Sequence, residues 1–220
     1  MDAYQEARRI REGAVHHSLQ TPEGAVLLRK TGALQHAQHN AGAALLSFAE
    51  ARAIHEQTGS LETPWGALLL SHIGLVEREV GNAKTALETL KEAKRIHERT
   101  GSVHTQECVL LMVDLGLARQ AFGQRSSALA TYGEARRILE RLGALSSLAG
   151  AELLTALGAT RHLQRDAEGA LEAFYEAWRI LEACGEVESP CGARLLHDIA
   201  VVRAARGDNA GQREALKESK

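Results

Sequence analysis

The side chains best suited to chemistry in this 220-residue sequence are its ten histidines and three cysteines. His36 and His39 stand i, i+3, on one helical face, and could share a metal ion. A zinc site needs further ligands at roughly 2.0–2.1 Å. His162, the histidine in the same register as His36, lies far along the chain, so no metal and no cofactor is implied. Cys184 and Cys191 flank one loop and could approach each other. A disulfide requires Cα atoms within about 7 Å, which spacing alone does not set, and both are read as structural thiols. The chain contains no GxSxG or HExxH motif and no strand followed by a glycine-rich phosphate loop, so no catalytic residue is assigned and the protein is expected not to be an enzyme.

Charge and composition narrow the function further. The net charge of −2 and pI of about 6.6 leave no basic stripe for a phosphate backbone, so nucleic acid is not an expected partner. No apolar run approaches the roughly 18–20 residues of a membrane helix. An odd number of cysteines, and no charged stretch leading into an apolar one at the start, give a cytoplasmic expectation. Hydrophobic residues make up 45% of the chain and aromatics only 4%, so packing must rest on Ala and Leu in closely spaced helices.

Those helices are organised by a repeat. Thr21-Pro22-Glu23-Gly24-Ala25 returns as Thr63-Pro64-Trp65-Gly66-Ala67 and, in register, as Ser189-Pro190-Cys191-Gly192-Ala193, with Thr105 and Ser147 in the intermediate slots. A fixed 42-residue interval marks stacked supersecondary units, each burying its apolar face against its neighbours. The units are 21–62, 63–104, 105–146 and 147–188, preceded by a half repeat, 1–20, and followed by a degenerate repeat or cap, 189–220. Together they form one array over 1–220.

Each unit predicts two helices. The Thr or Ser is an N-cap for helix A, followed in three of five copies by Pro, which tolerates the first helical position. Leu69, Leu70, Ile73 and Val76 give helix A its buried stripe, and Gly81-Asn82 ends it. Helix B carries Ala86, Leu87, Leu90, Ala93 and Ile96 and ends at Gly101, as at Gly59, Gly143 and Gly185. Gly32, Gly74, Gly116 and Gly158 lie mid-helix A, and Ala44, Ala86, Ala128 and Ala170 one turn into helix B. A mid-helix glycine costs about 1 kcal/mol relative to Ala, so a repeated one implies close backbone approach. Phe48, Leu90, Tyr132 and Phe174 fill the next layer. His55 and His97, at a position held by Leu139 and Leu181 elsewhere, read as half-buried surface residues.

Leu70, Ile73-Gly74, Gly81-Asn82, Ala86, Leu90 and Ala93 resemble the spaced consensus of the tetratricopeptide repeat, in all four complete units. The unit length resembles the lengthened repeats of kinesin light chains. Glu56, Glu98, Glu140 and Glu182 replace the helix-ending proline, and Leu28, Leu70, Met112 and Leu154 stand in the tryptophan position. The resemblance implies an all-α, right-handed α-solenoid of antiparallel helix pairs, about eleven helices in all.

It also implies a non-catalytic protein–protein interaction scaffold, holding a peptide or partner segment in the concave helix A groove. The alternative is a sensor or regulatory module of a larger enzyme, signalling protein or motor adaptor. The groove positions singled out are Arg29, His36, Ser71, Leu75, Arg78, Leu117 and Gln120. Ala33 and His72 fall where a carboxylate clamp for chaperone C-termini requires Asn, and Ser71-His72 replaces the Asn pair of kinesin light chains.

The unit 147–188 carries eight acids against three arginines, a charge of −5, read as a solvated outer face or a patch for a basic partner. At the start, Tyr4-Gln5-Glu6-Ala7-Arg8-Arg9-Ile10 matches helix B of later units without its helix A. A face formed by Tyr4, Ala7 and Ile10 therefore suggests either a piece of a longer array or self-association through the N-terminal end.

Overall fold

The computed structural model describes residues 20–207, and every regular element among them is an α-helix. The described residues divide into two compact units between Val103 and His104, beside a repeat boundary. The first holds α1 (Pro22–Ala37), α2 (Ala41–Gln57), α3 (Pro64–Glu79) and α4 (Ala83–Thr100). The second holds α5 (Gln106–Ala121), α6 (Arg125–Arg141), α7 (Leu148–Leu163), α8 (Ala167–Cys184) and α9 (Pro190–Ala205). Among the described residues there are thus nine helices, not eleven. The other two were expected at the ends, where Tyr4, Ala7, Ile10, Gln212 and Arg213 lie outside the described residues.

Every helix A begins where its hydroxyl residue predicts. Thr21 and Thr63 in the first unit, and Thr105, Ser147 and Ser189 in the second, adopt extended backbone and accept from the amide three residues on, at 3.1–3.4 Å. That satisfies one of the amides a helix start leaves open. The glycine of the phrase has a second purpose. A Cβ on Gly66, Gly150 or Gly192 would overlap the carbonyl of Leu61, Leu145 or Val187 in the preceding loop. The loop therefore presses directly on the first turn of helix A.

Packing within a repeat follows the small-residue columns. A Cβ on Gly32, Gly74, Gly116 or Gly158 would collide with Phe48, Leu90, Tyr132 or Phe174 of its own helix B. Ala44, Ala86, Ala128 and Ala170 are wholly buried. In the second unit this contact extends into a core of Leu154, Phe174, Leu181, Leu195 and Ile199.

A polar tie closes the A–B pair in three repeats. Ser47 Oγ donates to Gln35 Oε1 at 2.8 Å and Thr89 Oγ1 to Glu77 Oε2 at 2.9 Å, while Arg119 Nη1 donates to Thr131 Oγ1. Successive B helices are also joined by matched ion pairs. Arg52 meets Glu56 and Glu92 in the first unit, and Arg136 meets Glu140 and, with two nitrogens, Glu176 in the second.

Helix ends show a further column. Gly59, Gly101, Gly143 and Gly185 follow helix B with φ of +63° to +72°. After helix A, Gly81, Gly123 and Gly207 are also left-handed, and His39 and Arg165 adopt φ of +59° and +66° at the same register.

Candidate functional site

The exposed faces of the A helices carry the candidate residues, and each unit is described by itself. In the first, His36 Nε2 lies 2.6 Å from Glu79 Oε2, linking α1 to α3, and Arg78 Nη2 lies 3.6 Å from the other oxygen of Glu79. Two of the residues chosen from sequence therefore meet on a carboxylate that was not chosen. Glu79 sits 43 positions after His36, one repeat plus one residue, and that offset is the signal that could have found it.

Ser71 returns its hydroxyl to the Ala67 carbonyl at 2.9 Å, an i−4 bond that removes its donor from the face. Leu75 and Arg78 are half-buried beside it. His72, not among the chosen residues, packs its ring on Phe48 with centroids 5.9 Å apart, and its Nδ1 lies 2.8 Å from the Leu68 carbonyl. A carbonyl can only accept, so Nδ1 carries the proton and Nε2 is left for other partners. Burial holds the imidazole below its ordinary pKa, and the charges of Arg29 and His36 push it down further against that hydrogen bond.

Arg29 is 9% exposed. Its Nε finds no acceptor among the described residues, and burial holds the guanidinium below its ordinary pKa. Its charge also helps to depress His55, for which burial is the larger cause. His55 and His97, expected to be half-buried surface residues, are instead buried, because Ser60 and Ser102 each satisfy a ring nitrogen at 2.7 Å. A polar partner removes the cost that would otherwise keep an imidazole at the surface.

In the second unit Leu117 is half-buried and Gln120 Oε1 accepts from Thr160 Oγ1 at 2.5 Å, joining α5 to α7. A recess of about 180 Å³ opens between α7, α8 and α9, lined by Ala159, His162, Phe174, Asp198 and Val201 among others. Burial raises the Asp198 carboxyl above its ordinary pKa, and Arg194, His197 and His162 oppose that. Burial raises Glu152 likewise, against Arg194. The unit thus combines an apolar recess with carboxylates that resist ionisation.

Among the described residues, no group of three or more His, Cys, Asp or Glu is placed to hold a metal ion. His39 serves the left-handed turn instead of pairing with His36 on a helical face. Cys108 is a buried thiol, and Cys184 and Cys191 are exposed free thiols. No helix among the described residues is long and apolar enough to cross a membrane.

Residues 67–141 match the tetratricopeptide repeat family model. That stretch carries tetratricopeptide repeats (TPRs). A TPR-like fold extends over nearly all of the chain. A kinesin-light-chain TPR-like repeat protein from Podosopora anserina superposes with a TM-score of 0.72 at 17% identity, over 90% of this chain and 94% of the other. A Rap protein complexed with competence and sporulation factor gives 0.77 at 14% identity, over 89% of this chain and 52% of its own. The Rap conjugation gene regulator of plasmid pLS20, in complex with the Phr* peptide, gives 0.72 at 17%, over 89% and 52%. These identities establish the fold alone. The TPR array spans about half the length of the two Rap chains. No curated protein matches the sequence.

Proposed function

We propose that this chain is a non-catalytic scaffold whose helix A faces bind an extended or helical segment of a protein partner. The observation that carries the reading is the half-buried, chemically varied lining of those faces. The His36–Glu79–Arg78 cluster beside Leu75 marks the first unit, and the recess around Ala159 and Val201 marks the second. Apolar surface edged by a few oriented polar groups is what a peptide site requires. The fold is shared with two Rap proteins solved with a factor or peptide bound, which supports a peptide as the class of ligand. Arg29, His36, Ser71, Leu75 and Arg78 serve this role in the first unit, and Leu117 and Gln120 in the second. We place the protein in the cytoplasm, where its free thiols stay reduced.

The test is affinity capture with the wild type and with Arg78→Glu and Leu75→Glu, both at half-buried positions, each variant first checked for native helix content. Loss of the same specific partners from both variants is expected. Identical partner sets would overturn groove binding. A second reading, a regulatory module of a larger protein, is favoured by the coverage of only 52% of the Rap chains.

A further inference from the structure

Two seams between successive A helices of the second unit share one register and close differently. At the α5–α7 seam, Gln120 Oε1 accepts from Thr160 Oγ1 at 2.5 Å. At the α7–α9 seam the same two positions hold His162 and Val202, and valine has no hydroxyl to give. Ala159 stands where Leu117 and Val201 stand in the neighbouring repeats, so this seam also lacks a branched side chain. What opens there is the recess of about 180 Å³, floored by the buried Phe174 and edged by Leu163 and Val201, which are 44% and 41% exposed.

The polar groups of the recess set the ligand's chemistry. Among the described residues, neither His162 nor Asp198 makes a side-chain hydrogen bond or an ion pair. His36, at the register of His162 in the first repeat, meets Glu79 one repeat plus one residue on, and the corresponding position here is Ala205. Asp198 already lies in the field of Arg194, His197 and His162, so what it lacks is a hydrogen-bond donor and not a counter-charge. A carboxylate only accepts and an imidazole N–H donates, and one hydroxyl can serve both. An ammonium has no acceptor to offer, and a carboxylate no donor. A cavity of about 150 Å³ holds a benzene, so the apolar part of the recess admits one ring.

We propose that this recess binds a free single-ring alcohol of the phenol class, its hydroxyl donating to Asp198 and accepting from His162. The ring fills the room that Ala159 leaves. The occupant is a small molecule because the two exposed edge residues, Leu163 and Val201, are apolar and give a peptide main chain no hydrogen bond. The site goes beyond the partner-segment reading and does not depend on it, although it uses the recess which that reading assigns to the second unit.

The experiment is an NMR titration of the isotope-labelled 220-residue chain with p-cresol, toluene, benzylammonium and benzoate. The methyl resonances of Ala159, Leu163, Val201 and Val202 and the ring of His162 should shift and saturate with p-cresol. Toluene, which lacks the hydroxyl, should bind about tenfold more weakly, and the two ions no better than toluene. Asp198→Ala should weaken p-cresol about tenfold and leave toluene unchanged. Ala159→Leu, which installs the side chain of the neighbouring repeat, should fill the recess and abolish binding of both. His162→Gln with Val202→Thr, which rebuilds the closed seam, should do the same.

Equal affinity for p-cresol and toluene, or unchanged p-cresol affinity in a folded Ala159→Leu variant, would overturn the site. Benzylammonium binding tighter than p-cresol would overturn the hydroxyl in favour of a cation. N-acetyltyrosinamide binding tighter than p-cresol would overturn the free molecule and make the ring a partner's tyrosine. If Ala159→Leu abolishes p-cresol binding while affinity capture is unchanged, the small-molecule site stands and the recess drops out of the partner-segment reading. If Ala159→Leu abolishes capture and p-cresol does not bind the wild type, that reading stands and the small-molecule site fails.

Discussion

At the end of helix B the first unit places His55, Thr58 and Ser60, then His97, Thr100 and Ser102, where the second places Leu139, Leu142 and Ala144, then Leu181, Cys184 and Glu186. His55, His97, Leu139 and Leu181 are all buried. In both polar corners the Thr hydroxyl reaches a carbonyl, that of Ile54 or Ile96, and the Ser oxygen lies 2.7 Å from both the Thr oxygen and the His Nδ1. One set of donors fits: Nδ1–H to Ser, Ser to Thr, Thr to the carbonyl. The two units thus fill one pocket in two ways, and either works only when complete. A polar network missing one member is worse than an apolar side chain.

The largest effect should come where the units do not differ. Ala86→Leu and Ala170→Leu, at wholly buried sites of the A–B contact, should each destabilise by about 1–3 kcal/mol through overpacking. Chemical denaturation measures both. An effect in one unit alone would show that the difference extends beyond the corners into the packing frame.

The corners themselves are tested by grafting. Leu139→His should cost about 2 kcal/mol, because Ala144 offers no hydroxyl to the buried imidazole. Adding Leu142→Thr and Ala144→Ser should restore about half of that. No recovery in the triple variant would mean that the three residues do not act as one network.

Acidity should separate the units. His55 and His72 have folded pKa values below their ordinary one, for burial first and Arg29 next. Their contribution to stability is therefore complete above about pH 6.5 and lost as pH falls through the lower folded values. Glu152 and Asp198 are raised by burial, so their contribution is complete below about pH 4 and lost as pH rises through the raised values. As pH falls from about 7 towards 4 the first unit weakens while the second gains. Glu77, raised by burial in the first unit, offsets part of the loss. Hydrogen exchange resolved by helix should show α1–α4 losing protection relative to α6–α9, and parallel changes would remove this contrast.

The smallest expected effect lies in the A–B turns, where each unit has one exception to glycine. A non-glycine residue in the left-handed region costs about 1–2 kcal/mol, part of which returns as unfolded-chain entropy when glycine replaces it. His39→Gly and Arg165→Gly should each stabilise by about 0.5–1 kcal/mol. A lower melting temperature in either would show that its side chain contributes more than its backbone strain costs.

Local rules made much of this legible. The N-cap hydroxyls, the mid-helix glycines and the alanine column each rest on chemistry within one repeat, and the structure places them as expected. Distance in sequence hid the rest. Glu79 was passed over because its meaning comes from His36 on another repeat, and only the offset of one repeat plus one residue points to it. His55 and His97 looked superficial because an imidazole at a leucine position is buried or exposed according to a serine five residues on. The left-handed turn column was read at Gly81 and missed at His39 and Arg165, where no glycine announces it. The burial of Arg29 was invisible, since a sequence shows which charges exist and not which ones leave the surface.

The tie between helices A and B has a consequence for how such an array can change. Ser47 and Thr89 give their proton to Gln35 and Glu77, whereas Thr131 accepts one from Arg119 and passes its own to the Ser127 carbonyl. Where the hydroxyl is absent, at Ala173, Arg161 reaches the Gly169 carbonyl instead. A hydroxyl is an adaptor of either polarity, so its partner on helix A is free to be neutral, negative or positive. Duplicated copies can therefore diverge in surface charge one at a time, each step keeping the seam between its two helices intact.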